Sequence, residues 1–192
     1  MMSSPTPSVS GAQKAGRPVP WVDRGAAGHW PAIRIWRFDV LAESAWIGPT
    51  GARTGLHHDL LDNVAVQLVG RKRFRLLPPG SVQRVGGRSP RYDKWARLSR
   101  LTADEVTEQA AHRAAGGPDV LTVDLDPGDV LHVPAGWWHE VVNLSPGVLL
   151  SGFHGFQPAV GLLWMRESAR HAAHRLGVVG RRGCTCHPEA VL

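Results

Sequence analysis

Two short segments of the chain carry side chains that could bind one metal ion between them. In the first, His57 and Asp59 are two residues apart, and alternate residues of a β-strand point to the same face. In the second, His139 follows a Pro-Ala-Gly turn and two tryptophans. Two histidines and one carboxylate, with other coordination positions open, form the ligand set of non-haem Fe(II) oxygenases. The residues therefore predict a metal site of His57, Asp59 and His139, from which His58 points away.

A lysine on another predicted strand could bind an anion. After Gly70, alternation places Lys72, Phe74 and Leu76 on one face, with arginines 71, 73 and 75 on the other. If the lysine face is the inner one, its charge is costly unless an anion meets it. We therefore expect a bound anion near Lys72, the alternative being an ordinary solvated lysine. The arginines are expected to form a solvated outer face.

The elements that must position these residues are mostly short strands. Apolar runs separated by turn residues predict strands at residues 33–38, 45–47, 56–59, 64–69, 73–77, 120–124, 130–133, 139–142 and 148–153. The Pro127-Gly128 pair suits a type II turn. Many short strands with frequent turns indicate a mainly β protein with a closed or double-sheet architecture.

Two helices are expected beside the strands. Thr102 and Glu105 form the T-x-x-E pattern of a capping box, and the Ala-rich sequence that follows stops at glycines 116 and 117. Residues 158–176 have the spacing of an amphipathic helix. Its predicted buried side contains Val160, Leu163, Trp164 and Leu176.

The composition favours one globular domain. The chain has 192 residues, 43% of them hydrophobic and 20% charged. The formal charge is +6, but all of the 22 basic residues except three lysines are arginines. A GC-rich genome explains this bias, and a nucleic-acid surface is the alternative. No secretory signal and no apolar run of membrane-spanning length is visible, so a cytoplasmic location without a membrane partner is expected by default.

Six groups of residues, in their order and spacing, resemble the cupin-like JmjC hydroxylases. The subgroup resembled is that of the asparaginyl hydroxylase acting on hypoxia-inducible factor. The groups are residues 46–51, 54–59, 63 with 67, 70–74, 125–130 and 133–139. The resemblance covers roughly residues 45–156, and it is far more specific than either metal-binding segment alone.

The resemblance implies a double-stranded β-helix of the jelly-roll or cupin type, JmjC in kind. Such a barrel has eight core strands, here with a short inserted helix and a C-terminal helix. It implies Fe(II) bound by His57, Asp59 and His139 as catalytic metal ligands. It also implies O2 as oxidant and 2-oxoglutarate as co-substrate, with the distal carboxylate of 2-oxoglutarate at Lys72 and the Thr54 hydroxyl.

The resemblance also bears on four positions beyond the metal ligands, Lys72 and Thr54. Asn63 and Gln67 would help to order the co-substrate and the surroundings of the metal; strand-end capping or a hydrogen bond within the barrel is an equal alternative. Relatives usually supply a tyrosine from a longer N-terminal portion, but Tyr92, in the inserted stretch, is the one tyrosine here. Ser151 stands where relatives often have an asparagine. One contact to the co-substrate is therefore expected to be lost, or supplied by Ser151 or an N-terminal tryptophan.

The chain divides into four expected parts. Residues 1–28 are rich in Pro, Gly and Ser and are expected to be disordered or loosely attached. Residues 29–157 form the barrel, residues 158–178 the C-terminal helix and residues 179–192 a flexible tail. The tail carries Cys184, Cys186 and His187, which lack the paired spacing of an ordinary zinc site. JmjC relatives often pair through C-terminal helices, so a homodimer through this helix is expected.

Three functions are compatible with the sequence. The leading one is an Fe(II)- and 2-oxoglutarate-dependent oxygenase, a dioxygenase that hydroxylates a side chain of a protein or peptide. The second keeps this chemistry but acts on tRNA or a small metabolite, which the charge of +6 permits. The third is a catalytically weak metal-binding cupin-like protein. The sequence does not reveal the substrate.

Overall fold

The short strands expected from the sequence pair into two antiparallel sheets. The computed structural model describes residues 18–24, 42–113, 117–155, 157–180 and 184. The strands are β1 (Trp21–Asp23), β2 (Ala42–Gly48), β3 (Arg53–Asp59), β4 (Asp62–Val69), β5 (Lys72–Leu77), β6 (Ala96–Leu98), β7 (Leu121–Leu125), β8 (Val130–Val133), β9 (Trp138–Asn143) and β10 (Gly147–His154). The helices are α1 (Ser81–Arg84), α2 (Ala103–His112) and α3 (Gln157–Arg175).

The strand order is that of a double-stranded β-helix. The first sheet has the order β1-β8-β4-β10-β2, and the second has the order β6-β3-β9-β5-β7. Because neighbouring strands in each sheet are distant in sequence, the chain winds back and forth between the sheets. Each sheet has one short outermost strand, β1 or β6. The other eight strands are the core strands of the double-stranded β-helix. The predicted fold class is therefore confirmed.

A hydrophobic core fills the space between the two sheets. The first sheet contributes buried residues of β4, β8 and β10, and the second contributes buried residues of β5 and β7. These residues are Ala65, Leu131, Val133, Leu149, Phe74, Leu76, Val123 and Leu125. Full burial of each large aliphatic side chain contributes about 1.5–3 kcal/mol relative to exposure. This core fixes which face of each strand points inward.

The strand predictions agree with the structure where it describes the chain. Each predicted strand from residue 45 onward lies within or overlaps an observed one. The predicted strand at residues 33–38 lies outside the described residues. The sequence did not indicate β6 or α1, which belong to the stretch inserted between β5 and α2. These elements lack the clear periodicity on which strand and helix prediction depends.

Described residues near both ends of the chain make contacts with the rest of the structure. Trp21–Asp23 falls in the segment expected to be loosely attached, yet it forms β1 and pairs with β8, with Trp21 opposite His132. Cys184 falls in the expected flexible tail, yet it is buried and forms a parallel bridge with Tyr92. Cys186 and His187 lie outside the described residues.

The helices form where predicted, but only part of the expected buried side of α3 is covered: Val160 and Leu163 are half-buried. Thr102 and Glu105 make both hydrogen bonds of the capping box on α2. Trp164 of α3, in contrast, is 57% exposed, and Leu176, which follows the end of α3, is 78% exposed. The reason is that α3 contacts the barrel through polar groups: Glu167 is fully buried and accepts a hydrogen bond from Arg97 (2.7 Å). No helix in the described part of the chain is both long and apolar enough to cross a bilayer.

Two tight turns need glycine. Gly70, between β4 and β5, has φ +71°, and a Cβ there would lie 2.1 Å from the backbone oxygen of Pro146. Gly128 has φ 96°, as the third position of the predicted type II turn requires. The Gly70 turn starts β5 in the register that places Lys72 on the inner face.

Candidate metal centre and active site

Three predicted ligands converge on the inner face of the second sheet. His57 on β3 lies directly opposite His139 on β9 in the register of these antiparallel strands. Asp59 is two residues beyond His57 on the same face. One ligand atom from each residue lies within 4.8 Å of the others, and His139 Nε2 is 3.6 Å from Asp59 Oδ2. Residues far apart in sequence thus come close enough for one metal ion.

Local backbone contacts join the two segments that carry these ligands. The Pro-Ala-Gly turn at residues 134–136 places its last N–H, from Gly136, 3.1 Å from the backbone oxygen of Asp59, to which it donates a hydrogen bond. Ala135 N donates to the Asp62 carboxylate at 2.7 Å. The turn before β9 is therefore fixed to the end of β3, and this fixes the separation of Asp59 and His139.

Both imidazole rings are oriented by backbone carbonyls. His57 Nδ1 is 2.8 Å from the Gly55 oxygen, and His139 Nδ1 is 3.1 Å from the Trp137 oxygen. A carbonyl accepts a hydrogen bond, so Nδ1 carries the proton and Nε2 has the free lone pair. Metal-binding histidines almost always have such an arrangement. The rings are 4.2 Å apart between centroids.

Burial shifts the pKa values of Asp59 and His139 towards their neutral forms. It raises the pKa of the Asp59 carboxyl above its usual value, although His57 and the Asn63 side chain act in the opposite direction. Burial, with the neighbouring His57, holds the pKa of His139 well below its usual value. His139 is therefore neutral at neutral pH, which is the form that binds metals.

A cavity of about 1070 Å³ opens above the three residues. Thr54, Asn63 and Lys72 all line it together with the candidate ligands. All six residues predicted as site residues thus share one cavity. Its size is at the upper end of the usual range for small-molecule pockets, about 300–1,000 Å³, and it leaves room for a second molecule beside a small dicarboxylate.

Lys72 is the unusual charge in this cavity. It is 6% exposed, and no carboxylate among the described residues lies within ion-pair distance of its ammonium group. Burial alone lowers the pKa of Lys72 below its usual value, with no charged partner acting against it. The alternative of an ordinary solvated lysine is therefore wrong. Thr54, on β3, presents its half-buried side chain to the same cavity.

Asn63 and Gln67 have different surroundings. Asn63 is buried and lines the cavity, and its Oδ1 has no hydrogen-bond partner among the described residues. Gln67 does not line the cavity; its Nε2 donates to the backbone oxygens of Val69 (2.7 Å) and Gly70 (3.1 Å). Gln67 therefore makes the hydrogen bond within the barrel that was one of its two alternatives, while Asn63 keeps an acceptor free beside the candidate metal.

The two departures from the family pattern have different outcomes. Ser151 is buried and lines the cavity. Tyr92 is fully buried outside the cavity wall and stacks on His174, with ring centroids 4.0 Å apart. Ser151 is therefore placed to contact a bound molecule and Tyr92 is not.

The inserted stretch contributes cavity residues that sequence reasoning missed. Arg91, Trp95 and Arg100 line the cavity. Nothing in their spacing indicated a site, because they follow irregular backbone rather than a repeating pattern. His58 behaves as expected: its half-buried ring lies edge-on against Trp138 (4.6 Å), outside the cavity.

Comparison with known proteins agrees with this geometry. The family model described as "Cupin-like domain" matches residues 38–164. The chain belongs to the cupin-like domain family. The match includes every predicted site residue, and the resemblance to cupin-like JmjC proteins is confirmed.

Curated relatives of this cupin-like chain are longer proteins. Lysine-specific demethylase JMJ30 of Arabidopsis thaliana is 31% identical over 108 residues, which are 56% of this chain and 24% of the relative. HSPB1-associated protein 1 homolog of Danio rerio is 31% identical over 129 residues, which are 67% and 26%. The chain thus spans about a quarter of the length of these relatives.

Solved structures of the ribosomal oxygenase YcfD from Escherichia coli are also similar. One of them, in complex with cobalt and succinic acid, is 20% identical with a TM-score of 0.41. The match covers 65% of this chain and 27% of that chain.

Proposed function

We propose that this chain is an Fe(II)- and 2-oxoglutarate-dependent oxygenase that hydroxylates a side chain of a protein or peptide. One observation carries the proposal: His57, Asp59 and His139 converge in a cavity whose buried cation, Lys72, has no described carboxylate partner. A metal triad and an unmatched cation in one cavity suit a ligand that bears both a metal-chelating group and a second carboxylate. 2-Oxoglutarate has this chemistry.

The donor set fits ferrous iron. Two imidazoles and one carboxylate leave coordination positions open, as non-haem Fe(II) oxygenases require. The backbone carbonyls of Gly55 and Trp137 hold both rings with Nε2 free. The unpartnered Oδ1 of Asn63 suits a water or an N–H or O–H group at the metal.

The chain's own residues would have distinct tasks. Lys72 would bind the distal carboxylate of 2-oxoglutarate by a charge-assisted hydrogen bond, with a second hydrogen bond from the Thr54 hydroxyl. His57, Asp59 and His139 would hold the iron, while Phe74, Leu149 and the other apolar wall residues exclude water. Bound iron and 2-oxoglutarate would supply the oxidation, in which O2 is consumed, succinate and CO2 are released, and a substrate C–H bond becomes C–OH.

The size and rim of the cavity favour a side chain as the substrate. Trp46 and Trp95 line it and are both partly exposed, so they can contact a group that enters from solvent. One relative is named a lysine-specific demethylase. This name is compatible with hydroxylation of a protein side chain or of an N-methyl group on it.

Arginines on the rim favour a second candidate, the same chemistry on RNA. Arg91 and Arg100 line the cavity, and neither forms an ion pair with a described carboxylate. Incubation of the loaded enzyme with lysate, followed by mass spectrometry for products 16 Da heavier, separates the two. A modified protein supports the leading proposal, and a modified RNA with strongly salt-dependent binding supports the second.

The direct test is succinate release from 2-oxoglutarate in the presence of Fe(II) and O2. We expect release by the wild type and none by Asp59→Ala. Asp126→Ala is the matched control, since Asp126 is an exposed carboxylate paired with Arg71 on the outer face, and it should retain full release. Equal release by the wild type and Asp59→Ala would reject the enzyme and leave a metal-binding cupin-like protein.

We also propose that α3 packs against a second copy of the chain. Its exposed side carries Leu162, Trp164 and Met165, followed by Leu176, and exposed apolar patches mark interaction sites. Light scattering at micromolar concentration should give a dimer for the wild type and a monomer for Trp164→Glu. A wild-type monomer would contradict the proposal.

A further inference from the structure

A second group of metal-binding side chains lies on the opposite side of the first sheet from the cavity. Asp62, His132 and His154 each present one ligand atom, and these atoms all lie within 4.8 Å of one another. Along β4, β8 and β10, side chains alternate between faces. Asn63, Val133 and Phe153 point to the cavity or the core, so their neighbours Asp62, His132 and His154 point outward.

Strand register brings these three residues together. Asp62 lies directly opposite His154 in the pairing of β4 with β10. His132 lies opposite Val64 in the pairing of β4 with β8, which makes it the diagonal neighbour of Asp62. Directly opposed and diagonal residues of adjacent antiparallel strands are within side-chain reach. The cluster thus joins three adjacent strands at the start of β4 and the end of β10.

The histidine rings are held in place and are neutral. Trp21 of β1 stacks on His132, with centroids 5.3 Å apart and 19° between the planes, and His132 in turn stacks on His154 at 5.7 Å. Burial lowers the pKa of both histidines, although the Asp62 carboxylate acts in the opposite direction. Neutral imidazole is the form that binds metals.

A hydrogen-bonding atom of this cluster lacks a protein partner. His132 is 9% exposed, and its Nδ1 has no hydrogen-bond partner among the described residues. A buried polar atom without a protein partner is costly, and a bound ion or water is one usual explanation. Asp62 is held by one hydrogen bond from Ala135 N (2.7 Å), and a carboxylate has further lone pairs with which to bind a metal.

We propose that Asp62, His132 and His154 bind a divalent transition-metal ion of the zinc class, at a site separate from the proposed iron centre. Two imidazoles and a carboxylate are ligands that Zn²⁺ accepts, with a fourth position left for water. The site would be structural. It ties β4, β8 and β10 together beside the turn at residues 134–136, which the Asp62 carboxylate contacts and which leads into His139.

Metal stoichiometry tests the proposal with Zn²⁺ as the probe. After equilibrium dialysis and elemental analysis, we expect Asp59→Ala, in which the iron centre is disabled, to retain one equivalent of Zn²⁺. Adding His154→Gln to this variant should abolish binding. Asp59→Ala with His112→Gln is the matched control, because His112 is an exposed histidine at the end of α2, and it should still bind one equivalent.

A second measurement covers the case in which a variant folds poorly. An ion that binds only the native state raises the melting temperature. Zn²⁺ should therefore raise the melting temperature of Asp59→Ala, and not of Asp59→Ala combined with Asp62→Asn. The asparagine retains an oxygen that can accept from Ala135 N. Equal stoichiometry with and without His154→Gln would overturn the proposal and leave adventitious binding only.

The result is independent of the proposed oxygenase activity. If the iron centre binds no metal, the wild type and Asp59→Ala both bind one equivalent of Zn²⁺, and His154→Gln alone binds none. If both centres bind, the wild type binds two equivalents and each single variant, Asp59→Ala or His154→Gln, binds one. If the outer site is absent, His154→Gln binds as much as the wild type.

Discussion

The two faces of β5 differ in whether their positively charged side chains have carboxylate partners. On the outer face, Arg73 donates two hydrogen bonds to Asp124 (2.7 and 2.8 Å), and Arg75 pairs with Asp104 and Glu140. On the inner face, Lys72 is buried, and no carboxylate in the described part of the chain pairs with it. The strand thus satisfies its outer cations from within the chain and leaves the inner one for a ligand.

Burial alone does not explain why Lys72 lacks a partner. Arg97 is also buried, but its guanidinium donates to Glu167, which is fully buried as well. The buried cation of Arg97, which has a structural role, therefore has a carboxylate partner within the chain. An unpartnered buried charge is costly to the fold, and a bound dicarboxylate would offset that cost only in the loaded protein.

The largest expected effect is on binding of 2-oxoglutarate. Lys72→Met removes the charge but retains most of the side-chain volume, so the distal carboxylate of 2-oxoglutarate would lose its ion pair. Truncating one partner of a buried charge pair costs about 2–5 kcal/mol, so we expect 2-oxoglutarate to bind roughly 30-fold more weakly or worse. Calorimetric titration in the presence of Mn²⁺ measures this.

The control for this change lies on the opposite face of the same strand. Arg73→Met removes a cation that is paired and partly exposed, so the affinity for 2-oxoglutarate should be unchanged. If Arg73→Met weakened binding as much as Lys72→Met, general loss of positive charge would be the cause, and the contrast between the two faces would be wrong.

A smaller effect, on the free energy of unfolding, is expected at the buried pair of Arg97 and Glu167. In Glu167, burial acts to raise the pKa, but hydrogen bonds from Arg170 and Arg166 and the Arg97 charge outweigh it and lower the pKa. A lowered carboxyl pKa stabilises the fold above the unfolded-state pKa, and this contribution is lost as the pH falls through the folded-state pKa.

Glu167→Gln should therefore lower the free energy of unfolding at pH 7 by about 1–3 kcal/mol. It should also lose less stability than the wild type on acidification. Urea unfolding at neutral pH and below pH 4 measures both quantities, with Glu108→Gln on α2 as an exposed control. Parallel loss of stability in Glu167→Gln and the wild type at low pH would contradict the role assigned to this carboxylate.

The smallest expected effect is a change in the free energy of unfolding. It is the most discriminating one, because its sign differs between substitutions on the two faces of β5. In the protein without 2-oxoglutarate, Lys72→Met should raise the free energy of unfolding by about 1–2 kcal/mol, since it removes an unpartnered buried charge. Arg73→Met should leave it unchanged or lower it slightly, because it breaks a partly exposed ion pair. Destabilisation by both substitutions would show that Lys72 supports the fold itself.

The sequence was sufficient for the parts of the molecule that follow a repeat or a motif. Alternation along β5 placed Lys72 on the face shared by Phe74 and Leu76, and the order of motifs, through the resemblance that it carries, predicted both the double-stranded β-helix and the group of His57, Asp59 and His139. The capping box likewise predicted the start of α2. In each case a local pattern and the global fold agree, which is the condition under which sequence reasoning succeeds.

The remaining features depend on long-range contacts that no local pattern reports. The exposure of Trp164 on α3 was not predicted, because a buried ion pair between Glu167 and Arg97 turns a neighbouring side of the helix to the barrel. The rim residues Arg91 and Trp95 lie on irregular backbone without a period. The outer cluster around His132 arises only when three strands pair in register.

The most direct test of the central claim is a crystal structure grown without oxygen in the presence of Fe(II) and 2-oxoglutarate. We predict one iron ion bound by His57 Nε2, His139 Nε2 and an Asp59 oxygen, and the distal carboxylate of 2-oxoglutarate about 2.7–2.9 Å from Lys72 Nζ. Iron bound away from these three side chains, or a dicarboxylate that leaves Lys72 without a partner, would contradict the claim.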